Sequence, residues 1–380
     1  MSFSSLGLTP QLLPTFSQLG YESPTPIQTE AIPAILAGRD VMGIAKTGSG
    51  KTASFVAPII HQLASQPLAK HRQPTVLVLV PTRELAEQVQ QVFVDFAPAI
   101  SERLICRAVY GGVSINRQMQ AVSRVNVLVA TPGRLIDLVG KNAIKLDKIS
   151  TLVIDEADKL LNLGFRQEIE QVLEQLPAQR QNLLFSATMT ANLEPIHESL
   201  LNEPAVIKIA EEPDEPQLIN QLGYFVTAER KGPLLRYLIK KESRYQVLVF
   251  ASSARKVEGI VDKLRKNKIQ ANAIHGDMSQ SARRESLRRF KSGQLRVLVS
   301  TDLLGRGIDI DFLPCVINYE LPRSPKDYIH RIGRTGRAEA PGDALSLITM
   351  DELPHFRVIQ KKMKMRVTMQ HTDELDLHGY

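Results

Sequence analysis

At 380 residues the chain has room for two domains of ordinary size, and 43% hydrophobic with 23% charged residues excludes a disordered or fibrous polymer. A formal net charge of +7 and a pI near 9.3 permit a polyanionic partner without demonstrating one. No apolar run approaches the roughly 20 residues of a helical membrane span. Met1–Pro10 lacks the basic start and apolar core of a secretory signal, and Cys106 and Cys315 match no metal spacing, so a reduced, cytoplasmic setting is expected.

Short apolar runs predict strands at Asp40–Ile44, Val76–Val80, Val125–Val129, Leu152–Ile154 and Asn182–Phe185. Helical patterns such as Glu84–Phe96 and Phe165–Leu176 lie between them. Glu211–Pro216, acidic and proline-rich, reads as an extended linker. The alternation then restarts with Gln246–Phe250, Arg296–Val299, Val316–Tyr319 and Ala344–Ile348, and a weakly basic helix is expected over Phe356–Val367 before a polar end. Near-continuous apolar strands alternating with helices indicate an α/β fold of mostly parallel sheets covered on both faces. The expected division is a first domain over 1–208, a linker over 209–217 and a second domain over 218–380.

Three clusters carry chemistry. The first comes after the strand at Asp40–Ile44: Ala45-Lys46-Thr47-Gly48-Ser49-Gly50-Lys51-Thr52, leading into an apolar-periodic helix. Its glycines let backbone N–H groups close around phosphate oxygens at a helix N-terminus, a place that already favours anions. Lys51 can reach the β- and γ-phosphates of ATP, and the Thr52 hydroxyl can ligate Mg²⁺. The general P-loop pattern begins with Gly, where this chain has Ala45. The second cluster is Asp155-Glu156-Ala157-Asp158, after the apolar run Thr151–Ile154. Alone, it fits a metal site at a strand's carboxyl end and an acidic helix N-terminus equally well. The P-loop upstream supplies a nucleotide for those acids to serve, which favours the first. The third is His330-Arg331-Ile-Gly-Arg334-Thr-Gly-Arg337, whose arginines can meet phosphate oxygens of ATP, grip a nucleic-acid backbone or form a solvated basic face.

With these residues in place, the chain resembles the DEAD-box RNA helicases of superfamily 2, in general look the bacterial RhlE-type members, from its start to about residue 350. Gly20-Tyr21 through Pro26-Ile-Gln28 is similar to the Q motif, with Phe3 near the upstream aromatic, and Ala45–Thr52 to motif I, whose family form begins with Ala. Pro81-Thr-Arg83-Glu84, Gly111-Gly112 and Thr131-Pro-Gly133-Arg134 resemble RNA-contacting motifs. Asp155–Asp158 is the naming motif, and Ser186-Ala-Thr188 resembles motif III. In the second half Val249–Ser253, His275-Gly276-Asp277, Ser300-Thr301-Asp302 with Arg306-Gly-Ile-Asp309, and His330–Arg337 resemble the remaining motifs in family order.

The resemblance implies two tandem RecA-like domains and an RNA-dependent ATPase that uses ATP and Mg²⁺. It implies that Tyr21 stacks on adenine and Gln28 bonds its edge, that Lys51 and Thr52 hold phosphates and Mg²⁺, and that Asp155 binds the metal while Glu156 deprotonates the attacking water. Asp158 would couple to Ser186 and Thr188, or serve as a helix cap; Asp309 would touch the ribose. Arg334 and Arg337 would act as arginine fingers, with His330 coupling domain closure to hydrolysis. Arg83, Gly111, Gly112, Thr131, Arg134, Gly276 and Thr301 are the RNA contacts carried over, and such groups meet phosphates and 2′-hydroxyls without reading bases. Lys46 departs from the family's uncharged residue and can contact a phosphate or point to solvent. The absence of Trp and the 5% aromatic content argue against a broad base-stacking platform. The expected action is local, sequence-independent remodelling of RNA by a monomer. Two alternatives stay open: an ATP-gated RNA clamp and a DNA helicase of the same superfamily.

Overall fold

A computed structural model of the chain describes residues 2–46, 48–64, 73–101, 103–189, 194–209, 219–240, 244–302, 313–336, 341–373 and 375–380. The chain divides into two compact units, Met1–Glu212 and Pro213–Tyr380, each built on its own sheet. The linker expected at 209–217 falls almost wholly outside the described residues.

Seven strands form the first sheet: β1 (Val41–Ile44), β2 (Val76–Leu79), β3 (Cys106–Val109), β4 (Val127–Ala130), β5 (Thr151–Ile154), β6 (Gln181–Ser186) and β7 (Ala205–Lys208). Their order is β3-β4-β2-β5-β6-β1-β7, with every neighbouring pair parallel. Alternate residues enter two cores. Val76, Val78, Val127, Val129 and Val153 face the side covered by helices Pro26–Leu36, Lys51–Ala64 and Arg83–Phe96. Leu77, Leu79, Leu128, Leu152 and Ile154 face helices Pro132–Gly140, Ala157–Asn162 and Arg166–Leu173. Burial on both faces is why these strands read as unbroken apolar runs.

The second unit repeats the plan with β8 (Ile219–Phe225), β9 (Val247–Phe250), β10 (Ala271–Ile274), β11 (Val297–Ser300), β12 (Cys315–Asn318), β13 (Gly342–Ile348) and β14 (Thr368–His371). The order is β10-β11-β9-β12-β13-β8-β14, again all parallel. The expected basic helix spans Leu353–Met363 and stops where Lys364 turns left-handed at φ 54°. The chain beyond this helix is more than a polar end. β14 pairs with β8, Arg230 Nη2 donates to the carbonyls of Thr372 and Leu375 at 3.1 Å each, and Tyr380 packs edge-on against Tyr237. No helix among the described residues is long and apolar enough to cross a membrane.

Candidate functional site

Parallel strands deliver all their carboxyl ends to one edge, and in the first unit β2, β5, β6 and β1 lie side by side. The ladder continues past the strands: Asp155 N donates to Leu79 O at 3.0 Å and Ala45 N to Ser186 O at 3.1 Å. The P-loop, the acid cluster and the Ser186–Thr188 turn therefore meet at one edge, although 30 to 140 residues separate them in the chain.

Gly48 and Gly50 adopt φ of 81° and 89°, left-handed conformations that a loop wrapping back to its helix requires. A Cβ on Gly50 would lie 2.5 Å from Gln28 Nε2 and 2.9 Å from Thr25 Oγ1, so the Q-motif segment sits directly on the loop. Thr25 Oγ1 donates to Ser49 O at 2.7 Å and Gln28 Nε2 to Gly50 O at 3.2 Å, while Gln28 Oε1 accepts from Thr25 N at 2.9 Å. Gln28 is fully buried, so its amide braces the P-loop and contact with a base would require exchanging one of these bonds. Tyr21 is half-buried and edge-on to Phe16, and Phe3 is buried in a stack on Phe16. Lys51 opens the helix Lys51–Ala64 and donates from Nζ to Ala45 O and, at 3.0 Å, to Lys46 O. Burial pulls the Lys51 ammonium below its ordinary pKa, opposed by the charges of Asp155, Glu156 and Asp158. Thr52 is half-buried, Lys46 is exposed, and Thr47 lies outside the described residues.

Asp155 is 2% exposed, with Oδ1 accepting from Glu156 N at 2.8 Å. Burial pushes its carboxyl up to about 6; the charge of Glu156 adds to this and Lys51 opposes it. A buried acid held this way gains from a cation placed beside it. Glu156 sits at φ 51° and ψ 46°, an uncommon conformation for a residue with a side chain, between β5 and the helix Ala157–Asn162. Its Oε1 lies 2.6 Å from Lys159 Nζ, and its Oε2 is buried without a hydrogen-bond partner among the described residues. Asp158 Oδ2 accepts from Thr188 Oγ1 at 2.8 Å, and Ser186 Oγ donates to Thr188 O at 2.8 Å, which ties the acid cluster to the turn after β6.

The loops expected to meet RNA occupy the same edge. Arg83 begins the helix Arg83–Phe96 under a Thr82 cap, and its guanidinium lies across Gly112. Thr131 stands at the N-cap position of the helix Pro132–Gly140 without a side-chain capping bond and is buried. Arg134 turns inward: Nη1 donates to Gln118 Oε1 at 2.8 Å, and both Nη atoms to Val113 O at 3.1 Å. It braces the segment after Gly111 and Gly112 instead of presenting its whole fork to solvent.

In the second unit Gly276 is exposed beside His275, whose Nε2 pairs with Glu258 at 2.7 Å, and Thr301 is half-buried after β11. His330 lies half-buried on the helix Pro325–Ile332, and Arg334 comes just after that helix, 4% exposed. Arg331, equally basic in the sequence, differs from a phosphate-facing residue: its fork grips Asp302, with Nη2–Oδ2 at 2.7 Å, and Nη1 donates to Asn318 Oδ1 and Glu320 O. Its Cζ stands 4.9 Å from the Phe250 ring centroid. Arg306, Asp309 and Arg337 lie outside the described residues. Sequence reasoning passed over Thr25 and Lys159. The i,i+3 spacing of Glu156 and Lys159 was the available signal for the second.

Residues 25–196 match the family described as DEAD/DEAH box helicase, and residues 230–339 the helicase conserved C-terminal domain. The chain is 38% identical to the ATP-dependent RNA helicase CshA of Listeria monocytogenes, over 96% of this chain and 69% of that protein. It is 37% identical to the DEAD-box ATP-dependent RNA helicase CshA of Geobacillus kaustophilus, over 99% and 79%. Among solved structures it is similar to S. cerevisiae Dbp5 bound to RNA and ADP BeF3, with a TM-score of 0.84, 28% identity and coverage of 98% and 96%. A DEAD box protein from Methanococcus jannaschii is 35% identical with a TM-score of 0.53, over 97% and 99%. The two bacterial relatives bear the CshA name, and the RhlE type expected from the sequence is not confirmed.

Proposed function

This chain belongs to the DEAD-box helicase family, and on that premise we propose that it couples ATP hydrolysis to local, sequence-independent separation of RNA strands. Its two parallel sheets are the paired RecA-like domains of the family. The observation that carries the assignment of roles is the convergence of Lys51, Asp155, Glu156 and the Asp158–Thr188 bond at one sheet edge. Lys51 binds the β- and γ-phosphates by giving up its bonds to Ala45 and Lys46, and the backbone N–H groups around Gly48, Ser49 and Gly50 hold the remaining phosphate oxygens. Glu156 accepts the proton of the attacking water. Asp158 carries the state of this site to Ser186 and Thr188.

Mg²⁺ fits this donor set. No cluster of three or more His, Cys, Asp or Glu side chains that would cage a metal occurs among the described residues, but a cation shared with nucleotide phosphates and water needs none. The Thr52 hydroxyl and the buried, cation-seeking Asp155 carboxyl would hold it, and when bound it would neutralise charge on the phosphate oxygens. Tyr21 and Gln28 are assigned to adenine, Asp309 to ribose, and Arg334, Arg337 and His330 of the second unit to the γ-phosphate and its coupling. Arg83, Gly111, Gly112, Thr131, Arg134, Gly276 and Thr301 are assigned to the RNA backbone, and Lys46 to a phosphate. Acting on cellular RNA as a monomer, the protein would work in the cytoplasm.

ATPase activity with and without RNA, with single-stranded DNA as control, tests the reading together with two variants. Lys51→Ala should lose ATP binding, and Glu156→Gln should bind ATP yet turn over at least about 100-fold more slowly. Wild-type turnover by Glu156→Gln would remove that residue from its role. Strand displacement on a short blunt RNA duplex separates helicase from clamp, because RNA-stimulated hydrolysis with no strand release would favour the clamp.

A further inference from the structure

Lys159 lies one residue beyond the acid cluster. The left-handed backbone of Glu156 turns the chain from β5 into the helix Ala157–Asn162, and Lys159 N donates to Glu156 O at 2.9 Å. The lysine side chain thereby returns to the Glu156 carboxylate, 2.6 Å from Oε1, with the two side chains only 8% and 12% exposed. Asp158 secures this arrangement from both sides: Oδ1 accepts from Lys159 N at 3.0 Å and Oδ2 from Thr188 Oγ1. The other ammonium at this edge, that of Lys51, is engaged by the carbonyls of Ala45 and Lys46.

We propose that Lys159 is a positioning residue for ATP hydrolysis: by holding Oε1 of Glu156 it fixes the carboxylate and leaves Oε2 to receive the proton of the attacking water. The assignment rests on the role of Glu156 as the base for that water. A carboxylate turns about its last torsion over a broad, two-fold profile. A base that must first be oriented costs the reaction rate that a pre-oriented one does not. Oε2 is the buried oxygen without a hydrogen-bond partner among the described residues, so the pair divides the carboxylate into one anchored atom and one that no protein group holds there. An ordinary i,i+3 pair on a helix surface would contribute a little stability and nothing to turnover.

RNA-stimulated ATPase kinetics of the full chain, paired with equilibrium binding of a fluorescent ATP analogue, decide the matter. Lys159→Met should lower kcat about tenfold, part of the 10²–10⁴ that a general base supplies, and leave KM and analogue affinity within about twofold. Lys159→Arg, which keeps the charge, should recover most of kcat. Lys159→Gln gives the same reading if the Met variant does not fold. An unchanged kcat in the neutral variant, a fall in kcat matched by lost nucleotide affinity, or a rise in RNA-free hydrolysis would each overturn the assignment. Wild-type protein and Glu156→Gln run in the same assay keep the two levels apart. A wild type without RNA-stimulated turnover defeats the function itself, whereas an active wild type matched by Lys159→Met defeats only the role of Lys159.

Discussion

Gly112 shows how a single residue sets a surface. Its φ is 78°, and a Cβ there would lie 2.2 Å from Arg83 Nη1, so the absence of a side chain is what lets the guanidinium cross the loop. Gly112→Ala therefore incurs about 1 kcal/mol of backbone strain and displaces Arg83 as well. RNA affinity should fall about five- to tenfold, the equivalent of roughly 1 kcal/mol, in anisotropy titrations with a labelled strand, while ATP-analogue binding stays unchanged. Equal RNA affinity would take the Arg83–Gly112 contact off the RNA-binding surface. Arg83 and Gly112 were named only through the family resemblance, whereas residue types and spacing by themselves singled out Lys51 and Asp155. Types and spacing were silent on what Gln28 and Arg134 touch, because both side chains turn to backbone carbonyls brought near only by the fold.

At the scale of elements, the apolar runs located the strands buried on both faces and passed over β3, β7, β8, β10 and β14. Those strands lie at or next to a sheet margin, where exposed or polar positions interrupt the apolar pattern: β14 is exposed at three of its four residues and β7 at two of four, while β10 carries the half-buried Asn272. Asp40 holds the far end of the first sheet together. Its carboxylate accepts from Asn182 N at 2.7 Å, Asn182 Nδ2 at 3.4 Å and Asn202 N at 2.9 Å, joining β1, β6 and the approach to β7. Asp40→Ala leaves the buried Asn182 N–H unpaired and should destabilise the first unit by about 1–3 kcal/mol. The midpoint of thermal unfolding reports the loss. Asp40→Asn, which keeps one acceptor oxygen, should lose less, and an Ala variant that melts like wild type would show the network to be dispensable.

The whole molecule comprises two units, each with its own sheet and its own cores, bounded by residues 1–212 and 213–380. Separately expressed, the two fragments should each give a helix-and-strand circular dichroism spectrum and a cooperative melt. A fragment that fails to melt cooperatively would show that its core depends on the other unit. The P-loop and the acid cluster could be picked out as candidates early because each is local in sequence, and local spacing dictates which groups can surround a phosphate. Family membership rests on matches over residues 25–196 and 230–339 and on 38% and 37% identity to relatives along nearly the whole chain. Tertiary structure alone could decide which groups the buried side chains touch. It turned Arg331 onto Asp302 and Gln28 onto the P-loop, and it set Lys159 against Glu156 with one carboxylate oxygen left over. Those outcomes depend on parallel strands carrying distant segments to one edge, where burial leads most polar groups to find a partner and leaves Oε2 of Glu156 without one.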